Sequence, residues 1–284
     1  MREAAFTMVE MAKGRGCTVI LCGADATDHY AEYLEQGTDY VLLGEGEETL
    51  AELLDQLSAG KDADAGFDSI PGLAYKSKIV NRKSQILLRP DIKDLDILPF
   101  PAWDLIDVEK YKKIWREHHG YYSMNMVTTR GCPYHCNWCA KPIWGQRYNS
   151  RSPENVAKEM KWLKENFAPD HIWFADDILG LKPNWIERFA ALLNEADAVI
   201  PFKCLMRADL VNEKTACALA KAGCKTVWLG AESGSQKILD AMDKGDKVED
   251  IYRAAKLLRD NGVEVGFFLQ FGYPGEAWND VQQT

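Results

Sequence analysis

Five short apolar runs, "YYSMNMVTT", "HIWFA", "IPFKCLM", "TVWLGA" and "VEVGFFLQF", follow one another from residue 121 with amphipathic segments between them. This alternation constrains the fold more than any other feature of the chain. Strands that recur with a helix between each pair are joined by right-handed crossovers and give a parallel sheet or barrel, an α/β fold. The spacing predicts helices around 153–166, 183–195, 213–222 and 235–261. In "SPENVAKEMKWLKENF", Ser152 is a good N-cap and Pro153 takes the first helical position. Val156, Met160, Leu163 and Phe167 then line one apolar stripe.

Residues 1–60 carry a second, shorter pattern of helix, strand, helix, strand, helix. "CTVILCG" and "DYVLLG" are β-branched runs of the buried parallel type, and "HYAEYLEQG" and "EETLAELLDQL" have helical spacing. Two parallel strands cannot cover their own faces, so these residues read as the second half of an open α/β domain whose first half precedes residue 1. Residues 61–120 change character: "GKDADAG" is a polar turn, "GLAYKSKIVNRKSQILLRP" reads as a hairpin, and "LDILPFPAWDLID" is a proline-broken connector. The expectation is a linker over 61–120 and a second domain over 121–284. "GEAWNDVQQT" opens a helix without a body, so the chain is expected to be cut at this end too.

Composition excludes several classes. The 284 residues are 46% hydrophobic and 27% charged, enough for sizeable cores. No apolar stretch approaches the ~20 residues of a membrane span, and no signal pattern opens the chain, so a cytoplasmic protein is expected. A net charge of −9 with no basic block argues against a nucleic-acid footprint.

Of the eight cysteines, Cys132, Cys136 and Cys139 fall within "RGCPYHCNWC", directly after the first strand of the series. Thiolates select zinc, copper(I) or iron–sulfur clusters. A closed zinc site wants four ligands, and His135 stands beside Cys136, where both can hardly reach one ion. Cys204, Cys217 or Cys224 remains open as a distant fourth ligand of a zinc module. A cubane cluster normally takes four cysteines, and three leave one iron open to another ligand. The carboxyl end of a parallel strand, where such folds place ligand chemistry, favours the second arrangement. Cys17, Cys22, Cys204, Cys217 and Cys224 occupy core-like positions and are expected to be inert and buried.

"RGCPYHCNWC" resembles the CxxxCxΦC signature of the radical SAM superfamily, with Trp138 in the aromatic position. The resemblance implies a [4Fe–4S] cluster on Cys132, Cys136 and Cys139, S-adenosylmethionine (SAM) on the fourth iron, and reductive cleavage to a 5′-deoxyadenosyl radical. "GADATDHYAEYLEQGTDYVLLGEGEETLAELL", "IPGLAYK" and "DLDILPFPAWDLID" are similar to the cobalamin-binding class of that superfamily, which includes the anaerobic magnesium-protoporphyrin monomethyl ester cyclases. So are "FADDILGLKPNW", "MRADLVNE", "WLGAESGSQKILDAMDKG" and "FFLQFGYPGE". The implied fold is a radical SAM (β/α) barrel with five of about six strands, preceded by the C-terminal half of a Rossmann-like cobalamin-binding domain.

The same resemblance assigns Asp176 and Asp177 to the SAM amino group or the substrate, Arg207 to the SAM carboxylate and Glu232 to the ribose. Gly272, Tyr273, Pro274 and Gly275 lie against the adenine, and Gly44 and Gly46 form the turn facing cobalamin. Each has a plainer reading: Asp176 and Asp177 as turn caps, Arg207 and Glu232 as a mutual ion pair, Trp138 as core, Gly44 and Gly46 as a turn only. "GEGEET" lacks the lysine and spacing of a phosphate loop. His29, His118 and His119 receive no role. No DxHxxG motif is present, so cobalamin is expected for the full protein rather than for this stretch alone. The implied partners are a small-molecule substrate and a one-electron donor of the flavodoxin or ferredoxin kind. Methyl transfer, cyclisation or rearrangement at an unactivated carbon is the leading activity, with a methylthiotransferase acting on tRNA or protein as the alternative.

Overall fold

The computed structural model describes residues 2–60, 66–76, 86–141 and 143–284. They divide into two compact units, Met1–Ile92 with Lys141–Gly145, and Lys93–Ala140 with Gln146–Thr284.

In the first unit the chain runs α1 (Arg2–Lys13), β1 (Ile20–Leu21), α2 (Ala24–Asp28), α3 (Tyr30–Glu35), β2 (Tyr40–Leu42), α4 (Glu47–Ser58) and β3 (Leu73–Tyr75). β1 and β2 are parallel, as the apolar runs predict, and β3 adds antiparallel to β2 with Val41 opposite Ala74. Val41, Leu53, Phe67, Leu73 and Ala74 are buried around this sheet. The stretch expected as a linker therefore contributes a strand and core residues to the first unit, and the division falls at Ile92 rather than at residue 60. The middle of the expected hairpin, residues 77–85, lies outside the described residues.

The second unit continues with α5 (Val108–His119), β4 (Ser123–Met126), β5 (Thr129–Arg130), β6 (Asn149–Ser150), α6 (Pro153–Asn166), β7 (His171–Phe174), α7 (Trp185–Glu195), β8 (Phe202–Met206), α8 (Glu213–Ala222), β9 (Cys224–Glu232), α9 (Gln236–Ala241), α10 (Val248–Asp260), β10 (Glu264–Leu269) and α11 (Trp278–Gln283). β4, β7, β8, β9 and β10 form one parallel sheet in the spatial order β10-β9-β8-β7-β4. One face packs on the helices through Ile172, Phe174, Phe202, Cys204, Met206, Val227 and Leu229, all buried. Alternate residues point to the other face, where Trp173, Lys203, Leu205 and Trp228 are half-buried.

Local chemistry sets the helix ends. Ser152 caps α6 by accepting from the Asn155 amide at 3.0 Å, Asn212 caps α8 from Thr215 at 3.0 Å, and Asp107 caps α5 from Lys110 at 3.1 Å. The predicted single helix over 235–261 is two helices. Between α9 and α10 the chain turns through Asp243 (φ 53°) and Gly245 (φ 76°), a left-handed pair that no helix accommodates. The break carries Lys244 and Asp246 to the carboxyl end of the sheet.

Not every cysteine is core. Cys204 and Cys224 are buried and Cys217 is intermediate, but Cys17 and Cys22 are exposed. They flank the two-residue β1, and most of the run that reads as strand is irregular chain.

Candidate active site

The cysteine loop leaves β5 and returns at β6, and these two short strands pair antiparallel with Arg130 opposite Asn149. Its base is fastened by Asp176, which follows β7. Asp176 Oδ1 accepts from the Thr128 and Thr129 amides at 2.6 and 2.8 Å, and Oδ2 accepts from Thr128 Oγ1 at 2.7 Å. The carboxyl is 2% exposed, and burial pushes its pKa up to about 6 against the pull of those donors. Asp176 is thus engaged with the loop base, while its neighbour Asp177 is exposed.

A raised folded pKa means that the stability tied to Asp176 is fully present below about pH 4 and is lost as pH rises through about 6. We expect Asp176→Asn to hold the loop and to flatten that part of the stability–pH curve by ~2–3 kcal/mol. Asp176→Ala orphans two buried amides and should cost ~2–4 kcal/mol at any pH, measured by chemical denaturation.

The tip of the loop is tied at Asn137, between the second and third cysteines. Its amide donates to Met242 O at 3.0 Å, and its Nδ2 donates to Ala241 O at 2.8 Å, at the end of α9. Its Oδ1 accepts from Tyr273 Oη at 2.6 Å. Tyr273 therefore joins the loop after β10 to the cysteine loop. Tyr273→Phe removes one hydrogen bond, worth ~1 kcal/mol, and should shorten the lifetime of a reconstituted cluster without preventing its assembly, as followed by visible absorbance during air exposure.

A charged network lies under the loop. Arg207, at the carboxyl end of β8 and 4% exposed, places its guanidinium carbon 3.6 Å from the centroid of the Tyr134 ring. Nε and Nη2 reach the two Asp209 oxygens at 3.0 and 3.1 Å, and Nη2 also donates to Lys244 O at 2.9 Å and pairs closely with Asp246. Among the described residues Nη1 makes only a long contact, 4.0 Å, with Cys136 Sγ. Burial opposes the charge of Arg207, but Asp209 and Asp246 outweigh it and the pKa stays above the ordinary guanidinium value.

Glu232 ends β9 in the left-handed region (φ 62°) and is paired with Lys244 at 3.4 Å, not with Arg207. Burial raises the pKa of Glu232 against the charge of Lys244, and it raises that of Asp246 against Arg207 and Lys244. Gly230 makes room for this pair: a Cβ there would stand 3.0 Å from both Glu232 Oε1 and Lys244 Nζ.

The structure brings Cys136, Tyr134, Arg207, Asp209, Asp246, Lys244 and Glu232 into one group at the carboxyl ends of the strands. It does not gather the three sulfurs: among the described residues no three His, Cys, Asp or Glu side chains converge on one point. Cys132 and Cys136 are half-buried, Cys139 and Trp138 are exposed, and none of the three cysteines is in a disulfide. Gly272 (φ 82°) and Gly275 (φ 86°) turn the chain after β10, with Gly272, Pro274 and Gly275 exposed. In the first unit Gly44 (φ 70°) donates to Thr27 Oγ1 at 3.1 Å and Gly46 precedes α4.

Sequence reasoning missed Tyr134, Asn137, Asp209, Lys244 and Asp246. It also missed Glu45, whose carboxylate accepts from Trp144 Nε1 at 2.9 Å and the Ile92 amide at 2.5 Å. The glycine inside "MDKGDK" was the available signal for the helix break.

A family model described as the Radical SAM superfamily matches residues 126–284, more than half of the chain, and the chain belongs to that superfamily. Similar curated proteins include an uncharacterized methyltransferase of Pyrococcus horikoshii, 32% identical over 87% of this chain and 51% of that protein. The anaerobic magnesium-protoporphyrin IX monomethyl ester cyclase of Synechocystis is 27% identical over 86% of this chain and 48% of its own. The chain thus spans about half the length of these relatives.

Two solved structures share the fold. The cobalamin-dependent S-adenosylmethionine radical enzyme OxsB, with aqua-cobalamin and S-adenosylmethionine bound, superposes with a TM-score of 0.79 at 19% identity, over 99% of this chain and 41% of that one. The radical S-adenosylmethionine methyltransferase TsrM of Kitasatospora setae gives 0.76 at 21%, over 98% and 54%. The superfamily implies a [4Fe–4S] cluster and SAM, and the donor set fits: three thiols on one irregular loop, none of them in a disulfide. Cys204 and Cys224 point into the helix-facing core and Cys217 sits on α8, so a zinc site completed by any of them is not assembled.

Proposed function

We propose that the protein is a radical SAM enzyme of the cobalamin-associated class, acting by methyl transfer, cyclisation or rearrangement at an unactivated carbon of a small molecule. The observation that carries this reading is the three-cysteine loop that follows β4 and β5, with Cys136 Sγ 4.0 Å from Nη1 of the buried Arg207. Cys132, Cys136 and Cys139 would hold the cluster, which supplies one electron to SAM and leaves one iron open for it. The remaining work falls to the chain. Tyr134 and Asn137 fix the loop against Arg207, α9 and Tyr273. Arg207 Nη1, the guanidinium nitrogen that no carboxylate or carbonyl of the described residues engages, is the group left to meet the SAM carboxylate. Glu232 faces the ribose, the Gly272–Gly275 turn the adenine, and Asp177 the amino group or substrate, whereas Asp176 acts by holding the loop base.

Cobalamin belongs to the reading for the whole protein. The open Gly44 turn after β2 suits it, since a Cβ at Gly44 would meet nothing within 4 Å. His29 is not offered as a cobalt ligand, because its ring nitrogens face Glu32 at 3.2 Å and Asp25 at 3.9 Å. A cytoplasmic location and a flavodoxin- or ferredoxin-type donor complete the proposal. Among the described residues no helix is long and apolar enough to cross a membrane.

The test is anaerobic reconstitution with iron and sulfide, reduction, and chromatography for 5′-deoxyadenosine, with and without cobalamin. Release of 5′-deoxyadenosine or S-adenosylhomocysteine supports the reading, and their absence from protein with a full cluster overturns it. Arg207→Lys should weaken SAM binding at least tenfold with cluster content unchanged.

A further inference from the structure

The other face of the barrel sheet carries a lysine that the reaction reading leaves unused. Lys203 stands on β8 four residues before Arg207, and the alternation of the strand places both on the same face. The register sets Lys203 beside Trp173 of β7 and Thr226 of β9. Its Nζ lies 3.6 Å from the centroid of the Trp173 ring. Lys203 is half-buried, and among the described residues no carboxylate is within ion-pair distance of it. Glu264, a carboxylate on this face, is two strands away on β10 and accepts from Thr226 Oγ1 at 3.2 Å.

A ring face meets only part of what a partly desolvated ammonium requires, since it offers a quadrupole and no lone pair. Burial accordingly lowers the pKa of Lys203. One level nearer the cysteine loop, Leu205 lies beside Trp228, and Trp228 stacks on Phe268 with ring centroids 5.2 Å apart. Phe268 is 42% exposed, so flat apolar surface lies on the face between Lys203 and the loop.

We propose that this face is a binding surface for an organic anion: a carboxylate or phosphate held by Lys203, with a flat or apolar body against Trp173, Leu205, Trp228 and Phe268. It defines the substrate class of the site described above and rests on that reading. The polarity follows from the order along β8, with the anionic end away from the cysteines and the apolar body toward them. Lys203 therefore acts in specificity.

The experiment is calorimetric titration of the full, cluster-reconstituted chain, without reductant, with 1-naphthoate, 1-naphthyl phosphate and the uncharged 1-naphthamide. At least one anion should bind ten times more tightly than the amide, and comparison of the two anions tells carboxylate from phosphate. Lys203→Met keeps the stem on Trp173 and should bring all three probes within twofold of one another. Lys203→Gln serves should the Met variant misfold, with circular dichroism as the check. Equal affinity of the probes for the wild type, no binding of any of them, or an anion preference that survives in the folded variants overturns the proposal. No SAM cleavage enters these titrations, so a failure here is separate from a failure to form 5′-deoxyadenosine.

Discussion

Cys132→Ala, Cys136→Ala and Cys139→Ala should each reduce iron and sulfide incorporation to background while leaving the folded chain almost as stable as wild type. On the proposed reading each would supply one of only three protein ligands, where a cubane cluster normally takes four cysteines. The loop thiols are half-buried or exposed, so truncation opens no core cavity, and the cost should stay within ~0.5 kcal/mol. Cys204→Ala should show the reverse, with full cluster content and a loss of ~1 kcal/mol or more, because Cys204 is buried on the helix-facing side of β8. Iron analysis together with urea denaturation separates the two outcomes. Retention of four irons by the triple variant would falsify the cluster assignment.

The largest stability effect is expected at Arg207→Met. Removing the guanidinium leaves Asp246, 2% exposed, with Lys244 at 3.7 Å as its remaining cation among the described residues, and takes the Arg207 donor from the Lys244 carbonyl. A buried pair broken on one side typically costs ~3–5 kcal/mol, far more than an exposed ion pair contributes. The double variant Arg207→Met, Asp246→Asn should recover ~1–3 kcal/mol of that, because the stranded charge is gone. SAM affinity should fall in both. Equal stabilities of the single and double variants would show that the pairing is not what makes the site costly to disturb.

The parallel sheet of the second unit was legible because its signal is local. Apolar β-branched runs of the length of "HIWFA" and "IPFKCLM", separated by capped amphipathic stretches, admit few other arrangements. The cysteine spacing was legible for the same reason, since three soft donors within eight positions restrict what they can hold. The helix break at Gly245 was harder. Ile238, Leu239, Met242, Ile251, Ala254 and Leu258 keep an apolar rhythm across it, which masks the signal of the lone glycine, and the left-handed backbone at Asp243 and Gly245 makes two helices of it. β3 was missed as a member of the first sheet because a three-residue strand carries no period of its own, and its place is set by its hydrogen bonds to β2.

By itself, then, the sequence determined the class of fold, the five parallel strands of the second unit and the three sulfurs, each through patterns that span a few residues. Tertiary structure decided what the charges do. Asp176 and Asp177 are adjacent in sequence and look alike there, yet one is sealed against the Thr128 and Thr129 amides and the other is exposed. Arg207 and Glu232 could have paired with each other, but the chain reversal after α9 inserts Lys244 and Asp246 and gives each its own partner. Lys203 reads as an ordinary polar position in a strand, and only the register beside Trp173 shows a cation facing a ring with no anion at hand. Electrostatic roles depend on burial and on neighbours 12 to 48 positions away, and those are properties of the folded chain that no local pattern encodes.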